Sequence, residues 1–207
     1  MKNFSILRED WLEADTQAYF SVEYRGFRHP NNPNYINVLK NDRHDYNENQ
    51  IIYAKKKLAE VLKTDLPLIF DDIGLKSLIV CIVPRAKKEE YYSKTQLGFS
   101  ETIKDVLKDF PKLKDGTEYI KRVENTKTTH LRDFVSRYSW EPEPYKGISK
   151  DTCEFSDKIK GKDILLIDDV YTKGVNIDED MIEALFQSGA KSVTFYAIAY
   201  TVSRYRR

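Results

Sequence analysis

The sequence predicts an α/β protein in which a central, mainly parallel sheet is flanked by helices. Two observations carry this. SLIVCIV (Ser77 to Val83) and DILLID (Asp163 to Asp168) are short, continuous apolar runs of the kind buried on both faces of a parallel sheet. The last third then reads strand, amphipathic helix, strand, which is the alternation of a sheet with helical crossovers. At 207 residues the chain is read as one structural domain, long enough to bury roughly 70% of the surface its unfolded form exposes.

Taken in order, residues 1–66 are polar and aromatic and are broken by turn signals such as HPNNPN (His29 to Asn34). They are expected to form a hood or cap, holding one helix from Asn49 to Lys63 on the apolar spacing of Ile51, Ile52, Leu58, Val61 and Leu62. Residues 67–207 are expected to be the core. There the strand Ser77 to Val83 stops at Pro84, a basic loop PRAKKEEYY follows, and a helix is expected from Leu97 to Asp109. The stretch from Pro111 to Lys150 is rich in Lys, Thr and Arg and is too long for a tight connection, so it is a candidate lid. The closing elements are a strand from Asp163 to Asp168, a helix from Asp178 to Ser188 closed by Gly189, and a strand from Ser192 to Ile198.

Composition excludes several classes of function. Lys and Arg number 34 against 33 Asp and Glu, a net charge of +1, so no global field draws the chain to a polyanion and any anion site must be local. Cys81 and Cys153 stand far apart with no metal-ligand or redox spacing, which fits two ordinary thiols in a reducing compartment. Neither a signal peptide nor a long apolar span is visible, so a soluble, cytoplasmic chain with no membrane partner is expected. A homo-oligomer is also expected. Nucleic-acid or protein partners would rest on local basic patches such as SRYRR at the carboxyl end alone.

The chemistry concentrates in DDVYTKGVN (Asp168 to Asn176), because open α/β sheets bind ligands beyond the carboxyl ends of their strands. Adjacent aspartates accept hydrogen bonds without donating them, which suits a diol or a metal-bound water. The turn from Tyr171 to Asn176 can aim backbone N–H groups, the Thr172 hydroxyl and the Lys173 charge at an anion beside the next helix, with Gly174 allowing close approach. Diol acceptors beside a phosphate cradle describe a ribose 5-phosphate site. A magnesium strand of a nucleotide hydrolase would need a GxxxxGK[ST] loop, which the chain lacks. A receiver-type acidic pocket would leave more of the sheet to follow than one strand. The plain alternative is a solvated strand end, with Asn176 and Glu179 capping the next helix through their side chains.

DILLIDDVYTKGVN resembles the phosphoribosyl pyrophosphate binding motif of type I phosphoribosyltransferases. IVPRAKKEEYYSKTQLGF and KRVENTKTTHLRD further resemble the basic loop and the Arg- and Thr-bearing segment of the ComF-like, amidophosphoribosyltransferase-related branch, so that the likeness covers residues 77 to 201. It implies the type I phosphoribosyltransferase fold, with a small hood and a long flexible loop, and Mg²⁺-dependent transfer of ribose 5-phosphate from phosphoribosyl pyrophosphate to a nitrogen nucleophile. On that likeness Asp168 and Asp169 would accept the ribose hydroxyls and meet Mg²⁺ through the ligand or water. Tyr171, Thr172, Lys173, Gly174, Val175 and Asn176 would enclose the 5-phosphate, and Arg85, Ala86 and Lys87 would meet the pyrophosphate. Thr128, Thr129 and Arg132 would lie on the closing loop. The family's phosphate loop commonly ends in Ala-Thr, and this one ends in Val175-Asn176 before the acidic Asp178, Glu179 and Asp180. A non-catalytic sensor that binds the same ligand or a nucleotide is therefore the alternative.

Overall fold

The computed structural model describes residues 1–7, 12, 15–26, 29–30, 32–40, 46–126 and 147–202. Its elements are β1 (Lys2–Ile6), β2 (Thr16–Tyr24), α1 (Asn34–Leu39), α2 (Glu48–Ile73), β3 (Leu78–Ile82), α3 (Gly98–Leu107), β4 (Leu113–Asp115), β5 (Ile120–Arg122), β6 (Cys153–Phe155), β7 (Asp163–Tyr171), α4 (Ile177–Gln187) and β8 (Ser192–Thr201). Six strands form one sheet in the order β1-β2-β8-β7-β3-β4, and β5 pairs with β6 in a separate ribbon. Only β1 runs antiparallel to its neighbour in the main sheet. The α/β class with a mainly parallel sheet therefore stands.

Strand β7 shows why the sheet is central. Ile164 and Leu166 pack on one face with Met181, Ile182 and Leu185 of α4, while Leu165 and Ile167 pack on the other with Leu58, Leu62 and Leu66 of α2. Alternate residues point to opposite faces, so burying both requires apolar side chains at every position. Helices α1, α2 and α3 cover one side and α4 the other.

Several boundaries differ from expectation, each for a physical reason. The stretch before residue 66, expected to cap the sheet, instead supplies β1 and β2 to it, and the boundary drawn at residue 66 falls inside α2. Strand β2 lies between β1 and β8 with Ala18, Tyr19 and Phe20 buried; mixing small and aromatic residues hides the apolar contrast that marks a strand. Helix α2 begins with a reciprocal capping box between Asn47 and Gln50, and it runs ten residues past the expected end at Lys63, through Pro67 to Ile73. Leu66 and Ile69 continue its buried stripe. Their burial, about 1.5–3 kcal/mol each, offsets the ~3 kcal/mol that an interior proline costs. Gly74 then ends the helix at φ 71°.

The stretch from Pro111 holds β4 and β5, tied by the Asp115 carboxylate, which accepts from the Thr117 backbone N–H and hydroxyl. Residues 127–146, which are half of the expected lid and include Thr128, Thr129 and Arg132, lie outside the described residues, and so does the basic SRYRR segment. Among the described residues no helix is long and apolar enough to cross a membrane.

Candidate functional site

The site forms where β7 outruns its neighbour. Strand β3 pairs with β7 only as far as Ile82 and Ile167, and Pro84 carries no N–H to extend the ladder. Strand β7 continues along β8 to Tyr171, three residues past the expected end at Asp168. Asp168 and Asp169 therefore sit within a paired strand, beside a crevice that opens at the carboxyl end of β3.

A lysine from outside the motif fills that crevice. Lys40 Nζ donates to Asp168 Oδ1 at 2.6 Å and to Asp169 Oδ1 at 2.8 Å, and it lies 5.0 Å from the centre of the Phe99 ring. Burial opposes its charge, yet the two carboxylates hold the Lys40 ammonium above the usual lysine range. Burial pushes the Asp168 carboxyl up to about 6; Lys40 pulls the other way and Asp169 pushes upward again. Asp178, buried at the start of α4, lies beside Asp168, and burial followed by the Asp168 charge holds it well above the usual carboxylate range. Two carboxyl groups thus hold one ammonium, and a third, Asp178, crowds Asp168 without reaching the ammonium. Like charges at this distance in a water-poor site resist full ionisation, which is how perturbed acids arise at functional sites.

The turn expected to cradle phosphate has a defined shape. The Val175 N–H donates to the Thr172 carbonyl at 3.1 Å, and Gly174 takes φ 82°. Asn176, at φ 64°, is the one non-glycine residue with positive φ among the described residues. It precedes α4 without a side-chain cap, so the capping alternative does not hold for Asn176. Nor does it hold for Glu179, whose carboxylate turns inward to accept from the buried Tyr171 hydroxyl at 2.8 Å. The Thr172 hydroxyl shares a hydrogen bond of 2.7 Å with the Thr201 hydroxyl. Lys173 is exposed. Asp178 and Glu179 are both buried beneath this turn. Two acidic side chains accordingly stay close to any anion bound there.

The basic loop forms the opposite wall. The Arg85 guanidinium donates to the Gln96 carbonyl at 2.6 Å and to the Lys40 carbonyl at 3.1 Å, and it stacks 4.0 Å from the centre of the Tyr92 ring. The Ala86 carbonyl accepts from the Thr126 N–H at 2.7 Å, and the Lys87 N–H donates to the Tyr92 hydroxyl at 3.0 Å. Arg122 Nε closes the frame by donating to the Arg85 carbonyl at 3.0 Å. On the Lys40 side this loop lines a cleft of about 390 Å³ whose walls include Lys40, Arg85, Lys87, Phe99, Lys104 and Arg122 along with Glu101 and Glu118; the aspartates and the 171–176 turn lie outside its lining. Lys104 is paired there with Glu118.

The structure thus brings Asp168 and Asp169 together through Lys40 and links Lys40 to Arg85. From sequence, Lys40 has no assigned role, Asp178 counts only as negative charge at the start of the next helix, and Arg122 stands only within KRVENTKTTHLRD. Lys40 follows a six-residue helix and is one of 34 basic residues, with no motif around it. Only the buried position of its ammonium sets it apart. No group of three or more His, Cys, Asp or Glu arranged to hold a metal ion occurs among the described residues. No model of a known protein family matches the sequence, and no curated protein does.

Proposed function

We propose that this chain recognises a phosphorylated sugar through a vicinal diol, with a second anionic group lying in the basic cleft. Within that class the reading best supported is a phosphoribosyltransferase that binds phosphoribosyl pyrophosphate and passes ribose 5-phosphate to a nitrogen nucleophile. The single observation that carries it is the aspartate pair at the carboxyl end of a central parallel strand, between a glycine-bearing turn and a cleft walled by Lys40, Arg85 and Lys87.

In this reaction the C–O bond between the anomeric carbon and pyrophosphate breaks, and its electron pair leaves with pyrophosphate. The nitrogen lone pair forms the new C–N bond, and the proton that nitrogen sheds passes to solvent. The protein's part is to orient the groups, stabilise leaving charge and exclude water. Asp168 and Asp169 would hold the ribose hydroxyls, and the Thr172 to Asn176 turn would hold the 5-phosphate. Lys40, Lys87 and the Arg85 region would face the departing pyrophosphate. Mg²⁺, when bound with the ligand, neutralises part of the pyrophosphate charge, and the aspartates suit its bound waters.

A second reading is favoured by one feature, the burial of Asp178 and Glu179 beneath the proposed phosphate turn, whose Thr172 hydroxyl is already shared with Thr201. That arrangement suits a non-catalytic sensor of the same ligand. Calorimetric titration with phosphoribosyl pyrophosphate and Mg²⁺, followed by a pyrophosphate-release screen over bases and amines, separates the readings. Binding with release supports the transferase, and binding without release supports the sensor. Failure to bind rejects both.

A further inference from the structure

Lys40 stands between the two halves of the site, and both of its roles there are visible in its contacts. Its backbone is fixed from two sides: the N–H donates to the Ile36 carbonyl at 3.0 Å, and the carbonyl accepts from Arg85 at 3.1 Å. Its side chain is 15% exposed, and its ammonium donates to both Asp168 Oδ1 and Asp169 Oδ1. Those are acceptor oxygens that a diol or the water shell of a divalent ion would use. The same lysine also lines the basic cleft and lies against the Phe99 ring.

We infer that Lys40 is a tethered cation that closes the Asp168–Asp169 pair to diols and divalent ions until an anion in the adjacent cleft draws its ammonium away. Four methylene groups join the ammonium to a fixed backbone, so rotation of the side chain moves the charge from the aspartates toward the cleft without moving the fold. Leaving two charge-assisted hydrogen bonds is costly unless replacements are supplied. A neutral diol offers hydroxyl acceptors but no counter-charge to replace the two carboxylates. A ligand carrying both a diol and a neighbouring anion supplies acceptors and counter-charge at once, which makes Lys40 a specificity determinant for such ligands. Closure toward divalent ions depends on the Lys40 contacts alone, whereas selection among sugar phosphates rests on the ribose phosphate reading above.

Mn²⁺ serves as the probe, since its binding is read by electron paramagnetic resonance without any sugar ligand. Wild type should bind Mn²⁺ weakly, and Lys40→Met should bind it at least tenfold more tightly, with the gain lost when Asp168→Asn and Asp169→Asn are added. Lys40→Gln, which keeps a donor and removes the charge, should show the same gain and guards against a folding defect in the first variant. In parallel, titration with ribose 5-phosphate and with phosphoribosyl pyrophosphate should show that the preference of wild type for the latter shrinks at least tenfold in Lys40→Met. Unchanged Mn²⁺ affinity in both folded Lys40 variants overturns the inference, whatever the sugar phosphates do. A Mn²⁺ gain in a protein whose wild type ignores phosphoribosyl pyrophosphate upholds the tethered cation and removes the ribose phosphate reading instead.

Discussion

Replacing Asp168 with Asn should stabilise the chain at neutral pH while abolishing the acceptor pair. The folded Asp168 carboxyl titrates at about 6 against an ordinary 3.8, so the native state holds the extra proton between those values. Stability therefore falls as pH rises through this window, because the unfolded state binds fewer protons there than the native state. A difference of about two pH units corresponds to roughly 3 kcal/mol at ~1.36 kcal/mol per unit. Lys40 does not reverse the sign: it stays protonated from about pH 4 to 8, and its attraction for the Asp168 carboxylate is already contained in the value of about 6. Asp178, raised by burial and by Asp168, acts in the same direction and is relieved when the Asp168 charge is removed. The amide introduced by Asp168→Asn mimics the protonated acid and leaves Asp169 as the partner of Lys40. Urea unfolding between about pH 4 and 8 should show the variant more stable than wild type by about 1–3 kcal/mol above about pH 6, with the difference vanishing near about pH 4. A variant less stable at about pH 8, or a difference that does not change with pH, would show that the Lys40 pair outweighs desolvation and would refute the argument.

Arg85→Ala removes charge-assisted bonds to the Gln96 and Lys40 carbonyls and the stack on Tyr92, and should lower stability by about 3 kcal/mol in urea unfolding. A loss of affinity for inorganic pyrophosphate without a loss of stability would mean that the guanidinium serves the ligand rather than the frame. Tyr171→Phe leaves the buried Glu179 carboxylate without its phenolic donor and should cost about 1–3 kcal/mol, read from the same unfolding curves. A neutral result would show that Glu179 does not depend on the Tyr171 hydroxyl in the native state.

The parts of the fold that were legible in the sequence are those with strong one-dimensional signals. SLIVCIV, DILLID and the Gly189-terminated helix lie where periodicity put them, because residues buried on both faces leave no alternation to misread. Strand β7 runs past its expected end because Asp168 and Asp169 look like a terminus, whereas pairing with β8 continues through Val170 and Tyr171. Strand β2 is hidden because its burial comes from neighbours distant in sequence: Ala18 pairs with Phe195 and Phe20 with Ala197. At the site, the acids were legible as chemistry, but their counter-ion was not. Lys40 lies 128 residues before Asp168, and no local pattern encodes a contact of that separation.

The frame around the site is held mainly by backbone oxygens, and this bears on how its charges act. Arg85 reaches carbonyls of Gln96 and Lys40, Arg122 reaches the carbonyl of Arg85, and the Ala86 carbonyl takes both donors of Thr126. Segments near residues 40, 85 and 122 are thereby joined into one wall by donors bonded to neutral acceptors. Arg122 carries this furthest, since its buried Nη1 has no hydrogen-bond partner among the described residues. An anion entering the cleft therefore meets a positive charge that the frame's own carbonyls do not neutralise, in a setting where partial burial strengthens the attraction. At the other wall the balance is reversed, with Asp168 and Asp169 on a single ammonium and Asp178 beside Asp168. Transfer of that one charge toward the cleft would leave the aspartates acceptor-rich at the moment an anion arrives opposite them. Recognition of the diol and recognition of the anion would then be one coupled event rather than two independent contacts, since each creates the electrostatic condition the other needs.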